Sequence, residues 1–164
     1  YLIPRTLLFI PLAQVIGLLG ISDSLFALIF TYPSFMVPFS TWMLLSYFKG
    51  IPKEIEECAM IDGCSRLQAV FKVVLPMAIP GVITSTLFCF LNAWQEFIYA
   101  VTFISTSSKK TAPVGVVGEL VRGDVYYWGS LMAAALLASI PVVIVFSFLM
   151  DYYVSGLTAG AVKQ

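Results

Sequence analysis

Residues 54–76 read EIEECAMIDGCSRLQAVFKVVLP, and the reading of this stretch decides the fold. It is the one long polar segment among membrane-length apolar runs, and its pattern is that of two short helices hinged at a glycine. Gly63 can adopt the left-handed conformation that ends a helix, and Asp62 before it tolerates a turn. Ser65 with Gln68 three positions on is a capping-box pair that starts a second helix. Leu67, Val70, Phe71 and Val74 give that helix one apolar stripe, and Pro76 is expected to stop it. A bent, charged, amphipathic element between spanning helices suits a surface that docks on a soluble partner.

The rest of the chain sets the solvent. Of 164 residues, 60% are hydrophobic and 11% charged, with a mean hydropathy of +0.95, whereas ordinary globular domains carry about 25% charged residues. A soluble core of this length cannot absorb so much apolar surface. The composition therefore predicts an all-α, polytopic transmembrane chain, because a bilayer demands that each backbone polar group be satisfied internally. The formal net charge is 0 and no basic run or aromatic–basic interleaving occurs, so nucleic acid is excluded as a partner. There is no histidine, and Cys58, Cys64 and Cys89 form no CxxC pair. These cysteines read as small packing residues, with no metal site and no disulfide framework.

Four spans are legible, at about 2–21, 25–48, 79–104 and 129–153, each near the ~20 residues that cross a bilayer. Gly20-Ile21-Ser22-Asp23-Ser24 is a turn with helix-capping residues. Pro33 and Pro38 are expected to kink the second span, Pro80 opens the third, and Pro141 sits near the middle of the fourth. Residues 105–128 are a mixed loop, in which Val114–Val121 reads as a short helix or a re-entrant segment. Tyr126, Tyr127 and Trp128 before the last span, with Tyr152 and Tyr153 at its end, form an interfacial aromatic pattern. Six cations (Arg5, Lys49, Lys53, Arg66, Lys72, Lys163) fall on one side and three (Lys109, Lys110, Arg122) on the other. That asymmetry puts the hinged segment and the C-terminus in the cytoplasm. The first residue, Tyr1, opens directly on an apolar run with no basic n-region. The expectation is a piece of a larger membrane domain, not a signal peptide.

Here the sequence resembles the permease subunits of bacterial ATP-binding-cassette importers. Their hallmark is Glu-Ala-Ala, three residues, Gly, nine residues, then Ile-x-Leu-Pro. In this chain Glu57-Cys58-Ala59 is followed by Gly63 and by Val73-Val74-Leu75-Pro76, with the spacing intact. Cys58 stands for an alanine and Val73 for the isoleucine. Ile51-Pro52-Lys53-Glu54, Pro76-Met77-Ala78-Ile79-Pro80-Gly81 and Asn92-Ala93-Trp94-Gln95-Glu96-Phe97 resemble the carbohydrate-uptake branch. The ending from Gly156 to Lys163 resembles the tail of the second permease of maltose- and trehalose-type importers. Complete members usually have six spans, so the resemblance implies that the first two are lacking here.

The resemblance implies a single permease domain over 1–164 with residues 53–76 as the coupling segment. Glu57, Cys58, Ala59, Asp62, Gly63, Leu75 and Pro76 would then contact an ATPase, Glu57 pairing with a basic residue there. It implies as partners a second permease, two cytoplasmic ATPase subunits, an extracytoplasmic sugar-binding protein and the lipid bilayer. The chain would bind no cofactor itself, with ATP and Mg on the ATPase. Indeed no GxxxxGK[ST] motif occurs, so nucleotide hydrolysis belongs elsewhere and the chain is not an enzyme. Gly160, Val162 and Lys163, in a tail that reads as a poor helix on its own, would reach the ATPase dimer; read from the residues alone, the tail is equally a frayed terminus.

Asn92, Gln95 and Glu96 are polar groups deep in the third span and can share one helical face. Two readings stand: a translocation path, with Trp94 stacking on sugar if its ring points inward, or hydrogen bonding between helices. Thr84, Ser85 and Thr86 read as helix-packing hydroxyls. The residues admit two other functions. An ion-coupled transporter would use Glu96 but leaves the hinged segment unexplained. An intramembrane hydrolase would rest on Ser130 and Glu96, with no histidine as base.

Overall fold

Where the sequence carries long apolar runs, the backbone is helical. The computed structural model describes the backbone of residues 4–122 and 125–161, with side chains described for residues 4, 6–121 and 125–150. Ten α-helices run in chain order among the described residues. The exception to the expected all-α class is a two-residue antiparallel ladder, β1 (Val121–Arg122) with β2 (Val125–Tyr126), in register Val121 to Tyr126.

The chain divides into two compact units. One is built from the residues up to Phe39 together with Phe90–Ile144, the other from Ser40–Cys89 and the chain from Val145 onward. The first unit has a core of Ile16, Ala27, Leu28, Phe35, Tyr99, Ala100, Phe103, Ile104 and Val114. Tyr99 is its aromatic centre: Phe35 stacks on it at 5.6 Å, Phe103 tilts against it at 5.9 Å and Phe9 meets it edge-on at 6.3 Å.

The first apolar run is shorter as a helix than the expected span 2–21. Helix α1 covers Arg5–Leu18, 14 residues, about 21 Å at 1.5 Å per residue. Gly20, at φ +66°, turns the chain out of the helix, a conformation that a Cβ would penalise. Ser24 then caps α2 (Leu25–Thr31), its Oγ accepting from the Phe26 N–H at 3.3 Å. Helix α3 (Pro33–Phe48) follows after Tyr32 alone, and Leu25–Phe48 together make 24 residues, long and apolar enough to cross a bilayer. Pro33 marks the joint and Pro38 is carried inside α3. The carbonyls around the joint are served by hydroxyls: Thr31 Oγ1 donates to Ala27 O, and Ser34 Oγ to Thr31 O at 2.6 Å. Such hydroxyl-to-carbonyl bonds within a helix are common in bilayer helices.

The second unit packs α3 closely on α7 (Ile79–Trp94). Gly81 is buried so tightly that an added Cβ would lie 2.5 Å from Cγ of Tyr47. Cys89 Sγ lies 3.0 Å from Ser40 Oγ. Thr84 and Thr86 donate to the carbonyls of Pro80 and Val82, both at 2.8 Å, the local bonding expected of membrane hydroxyls.

The third span differs from expectation. It is helical over Ile79–Trp94, breaks, and resumes as α8 (Ile98–Phe103). Val114–Val121 resolves as a helix, α9 (Ala112–Leu120), after which Val121 enters β1. The last helix, α10 (Trp128–Ala161), has 34 residues and carries Pro141 inside it. Its Trp128–Met150 part, 23 residues, passes as a spanning helix. The expected poor helix of the tail is corrected here, because α10 continues through Gly156 and Gly160; a long helix already nucleated extends at little cost per residue. Val162 and Lys163 lie outside the described residues, as do the side chains of Tyr152 and Tyr153.

Candidate functional site

The hinged segment is built as its sequence dictates. Helix α4 (Lys53–Ile61) ends at Asp62, and Gly63 follows at φ +92°. The Gly63 N–H donates to Met60 O at 3.1 Å and the Cys64 N–H to Ala59 O at 3.0 Å. These paired bonds are the Schellman termination, which needs a left-handed residue at the Gly63 position. Ser65 then opens α5 (Arg66–Ala69) with both halves of a capping box: Ser65 Oγ accepts from Gln68 N–H at 3.4 Å, and Gln68 Oε1 from Ser65 N–H at 2.9 Å. Arg66 Nε reaches back across the hinge to Glu56 Oε1 at 3.2 Å, fixing the two arms with an ion pair.

Pro76 does not stop this helix. Residues 66–77 stay helical through a π turn at Val70–Val74 and α6 (Leu75–Met77), ending at Ala78. A proline ring clashes with the carbonyl four residues earlier, here Lys72, and the wider π turn covers that residue. The axis then bends by 65° into α7. The predicted apolar stripe is left uncovered in part. Ala69 is fully buried, while Leu67 and Phe71 are 72% and 64% exposed. Ile61 is exposed too, and Glu57 and Cys58 share the open side of α4. Ala59 is the buried anchor of that helix. The segment therefore presents Glu57 amid uncovered apolar side chains, a surface that needs a partner.

The second feature is the break after Trp94. Asn92, Gln95 and Glu96 line one cavity of about 320 Å³ with Thr6, Phe35 and Tyr99. They meet there because the chain breaks, not because they share a helical face. Glu96 holds the break together: Oε1 accepts from Tyr99 N–H at 2.9 Å and Oε2 from Ala100 N–H at 3.0 Å. These N–H groups open α8 and have no partner within it, so the carboxylate takes the place of the missing turn. The Tyr32 hydroxyl adds a third bond to Oε2 at 3.2 Å. Gln95 is exposed, and Asn92 half-buried.

Trp94 goes elsewhere. Its Nε1 donates to Ala138 O in α10 at 3.1 Å, and its ring lies 5.7 Å from Phe90. Ala138 lies in the turn before Pro141, where proline disturbs the helix's own bonding. Trp94 lines a separate, mostly apolar cavity of about 420 Å³ with Val116, Val117, Ala134 and Ala138.

Tyr32 and Asp23 were not singled out from sequence as site residues. Asp23, at φ +56°, clasps the start of the 105–128 loop. Its carboxylate accepts from the Thr106 hydroxyl, and from the N–H groups of Ser105 and Thr106, both at 2.8 Å. The Asp23 N–H donates to Phe103 O at 2.8 Å, and Lys109 Nζ to Asp23 O at 2.6 Å. The Thr106 hydroxyl first, then the two N–H groups and Lys109, hold the Asp23 carboxyl well below its ordinary range. An acidic residue between two serines signals a turn; nothing local points to a partner 83 residues away.

The comparisons with known proteins give the family. Residues 1–159 match the family of binding-protein-dependent transport system inner membrane components. The inner membrane ABC transporter permease protein YcjP of Escherichia coli is 43% identical over 163 residues, 99% of this chain and 58% of that protein. The sulfoquinovosyl glycerol transport system permease protein SmoH of Agrobacterium fabrum is 40% identical over 161 residues, 98% of this chain and 56% of that protein. The trehalose/maltose transport system permease protein MalG of Thermococcus litoralis is 40% identical over 153 residues, 93% of this chain and 55% of that protein. The chain thus spans a little over half the length of these curated relatives. The match runs through the whole hinged segment and both sides of the Trp94 break, and the chain belongs to the family of binding-protein-dependent transport system inner membrane components.

Proposed function

We propose that this chain is part of the membrane permease subunit of an ATP-driven carbohydrate importer, forming half of the translocation path with a second permease. The observation that carries the reading is the hinged segment. In a membrane family member, Glu57 stands on an open helix face beside exposed Ile61, Leu67 and Phe71, and a Schellman turn and a capping box fix the angle. Such a surface transmits motion only if a partner grips it. Residues 53–76, with Glu57, Cys58, Ala59, Asp62, Gly63, Leu75 and Pro76, therefore couple to a separate ATPase that carries the ATP and Mg. Two ATPase subunits closing on ATP would bias the path between inward- and outward-facing states. A soluble binding protein would deliver the sugar. The sugar class is supported by the relatives named for trehalose/maltose and sulfoquinovosyl glycerol transport.

In this reading Asn92 and Gln95 line the path and Glu96 shapes it, while Trp94 braces α10. The orientation follows from the Lys/Arg asymmetry, with the hinge and C-terminus cytoplasmic and residues 105–128 external. Gly160, Val162 and Lys163 are proposed to approach the ATPase. The ion-coupled alternative loses support from Glu96, whose two oxygens already serve α8 and Tyr32.

The deciding experiment replaces Glu57 by Lys in the full-length permease, co-produced with its partner subunits. Membrane insertion should be normal and ATP-dependent sugar uptake lost, because the reversed charge repels a basic socket. Normal uptake by this variant would remove the coupling role. Impermeant labelling of a cysteine at Ser107, exposed in the loop, reads the orientation independently: reaction in intact cells is expected.

A further inference from the structure

The turn that joins α3 to α4 borders an open cavity of about 380 Å³, and its lining is uneven in charge. Lys49 and Lys53 contribute two ammonium groups and Glu56 one carboxylate, with Leu45, Phe48 and Val74 as apolar walls. Glu56 is already engaged by Arg66 at 3.2 Å. Among the described residues, no carboxylate lies within ion-pair distance of Lys49 or Lys53. Helix α4 also starts here, N-capped by Pro52, with Glu54 and Glu56 in its first turn; of these two only Glu56 lines the cavity. With Glu56 held by Arg66, the two lysines are the donors left at the cavity for an anion.

The apolar side of the cavity says which kind of anion. Trp42 and Leu45 are 65% and 53% exposed. With Lys49 they stand at i, i+3 and i+7, so one stripe of α3 leads from the membrane-length part of the helix to the ammonium groups. A soluble phosphate would have no use for that stripe, whereas an acyl chain would cover it. The polar segment begins at Lys49, where hydrocarbon must give way to headgroups, and lysine stems suit that boundary.

We propose that the α3–α4 turn is a binding site for an anionic phospholipid. Lys49 and Lys53 would hold the phosphate, and the Trp42–Leu45 stripe would hold an acyl chain. The site adjoins the coupling segment at Lys53, one helical turn before Glu57, and does not depend on which solute is transported.

The test uses the full-length permease assembled with its partner subunits in lipid nanodiscs, carrying p-benzoylphenylalanine in place of Leu45. Illumination in discs containing phosphatidylglycerol should add the mass of that lipid to the permease. Discs of phosphatidylcholine alone should give much less. Each lysine near a charged membrane surface changes occupancy about fivefold, so K49Q/K53Q should lower labelling by about twenty-five-fold, and K49R/K53R should keep it. Equal labelling in the two lipids, or no response to K49Q/K53Q, would overturn the proposal. A cross-link to another subunit would assign the groove to protein. Loss of labelling on adding inorganic phosphate would assign it to a soluble anion. If K49Q/K53Q fails to assemble, the comparison of the two lipids on the otherwise unaltered complex still decides.

Discussion

The Tyr32 hydroxyl donates to Glu96 Oε2 at 3.2 Å across 64 residues of sequence. The same carboxylate accepts the two N–H groups that begin α8. One side chain thus ties α2's end to the break after Trp94, and the Asn92–Gln95 cavity keeps its shape through it.

Glu96→Ala should therefore loosen the break, not merely remove a charge. A hydrogen bond to a charged group contributes about 1.5–3 kcal/mol, and leaving the α8 donors unpaired adds to the loss. The expected outcome is a lower unfolding midpoint of the assembled transporter, with Glu96→Gln intermediate and Tyr32→Phe mildest. A midpoint unchanged by Glu96→Ala would mean that the carboxylate is not structural.

Gly63 should tolerate asparagine better than valine. No atom lies within 4 Å of the place a Cβ would occupy, so the penalty is that of the backbone at φ +92° alone. Such strain costs on the order of 1–3 kcal/mol, and it is worst for a β-branched residue. Uptake should be lost in Gly63→Val and partly retained in Gly63→Asn. Equal uptake by the two variants would show that the Schellman turn is dispensable.

Gly81→Ala fails for the opposite reason. Its Cβ would meet Tyr47 Cγ at 2.5 Å and the adjoining ring carbons at 2.7 and 2.8 Å. Those atoms are at the root of the ring and cannot swing aside, so overpacking should cost about 1–3 kcal/mol. Thermal unfolding should show the loss, and in a Tyr47→Ala background, which lacks those ring atoms, Gly81→Ala should cost much less. An equal cost of Gly81→Ala in the two backgrounds would place the strain elsewhere.

Asp23→Asn should destabilise the 105–109 clasp at neutral pH. The folded Asp23 carboxyl is held below its ordinary value of 3.8, so its contribution is full above that value. It fades as the pH falls below 3.8 toward the folded one. The difference in stability between the parent and Asp23→Asn should thus be largest near pH 7 and shrink in acid. A difference that grows on acidification would reverse the sign and exclude the carboxylate as the source.

The hinge was legible because its causes are local. A left-handed glycine, a Ser65–Gln68 box and the spacing to Pro76 act within one or two turns of backbone, and the structure reproduces the first two. Membrane character was legible because it is a sum over composition. The Pro76 stop came a residue late, the helix ending at Met77, because a π turn at Val70–Val74 let it absorb the proline. The third span failed at Gln95–Phe97 because Glu96 found better partners in Tyr32 and α8 than in a continuing helix.

The sequence by itself determined the solvent, the helices and the bent segment, since hydropathy and capping are properties of neighbouring residues. Only the tertiary structure decided which polar residues share a cavity, that Trp94 braces Ala138, and that Asp23 closes the loop at Thr106. Each of those contacts joins residues tens of positions apart. Their geometry depends on where the helices end and how they pack, and no local pattern encodes it.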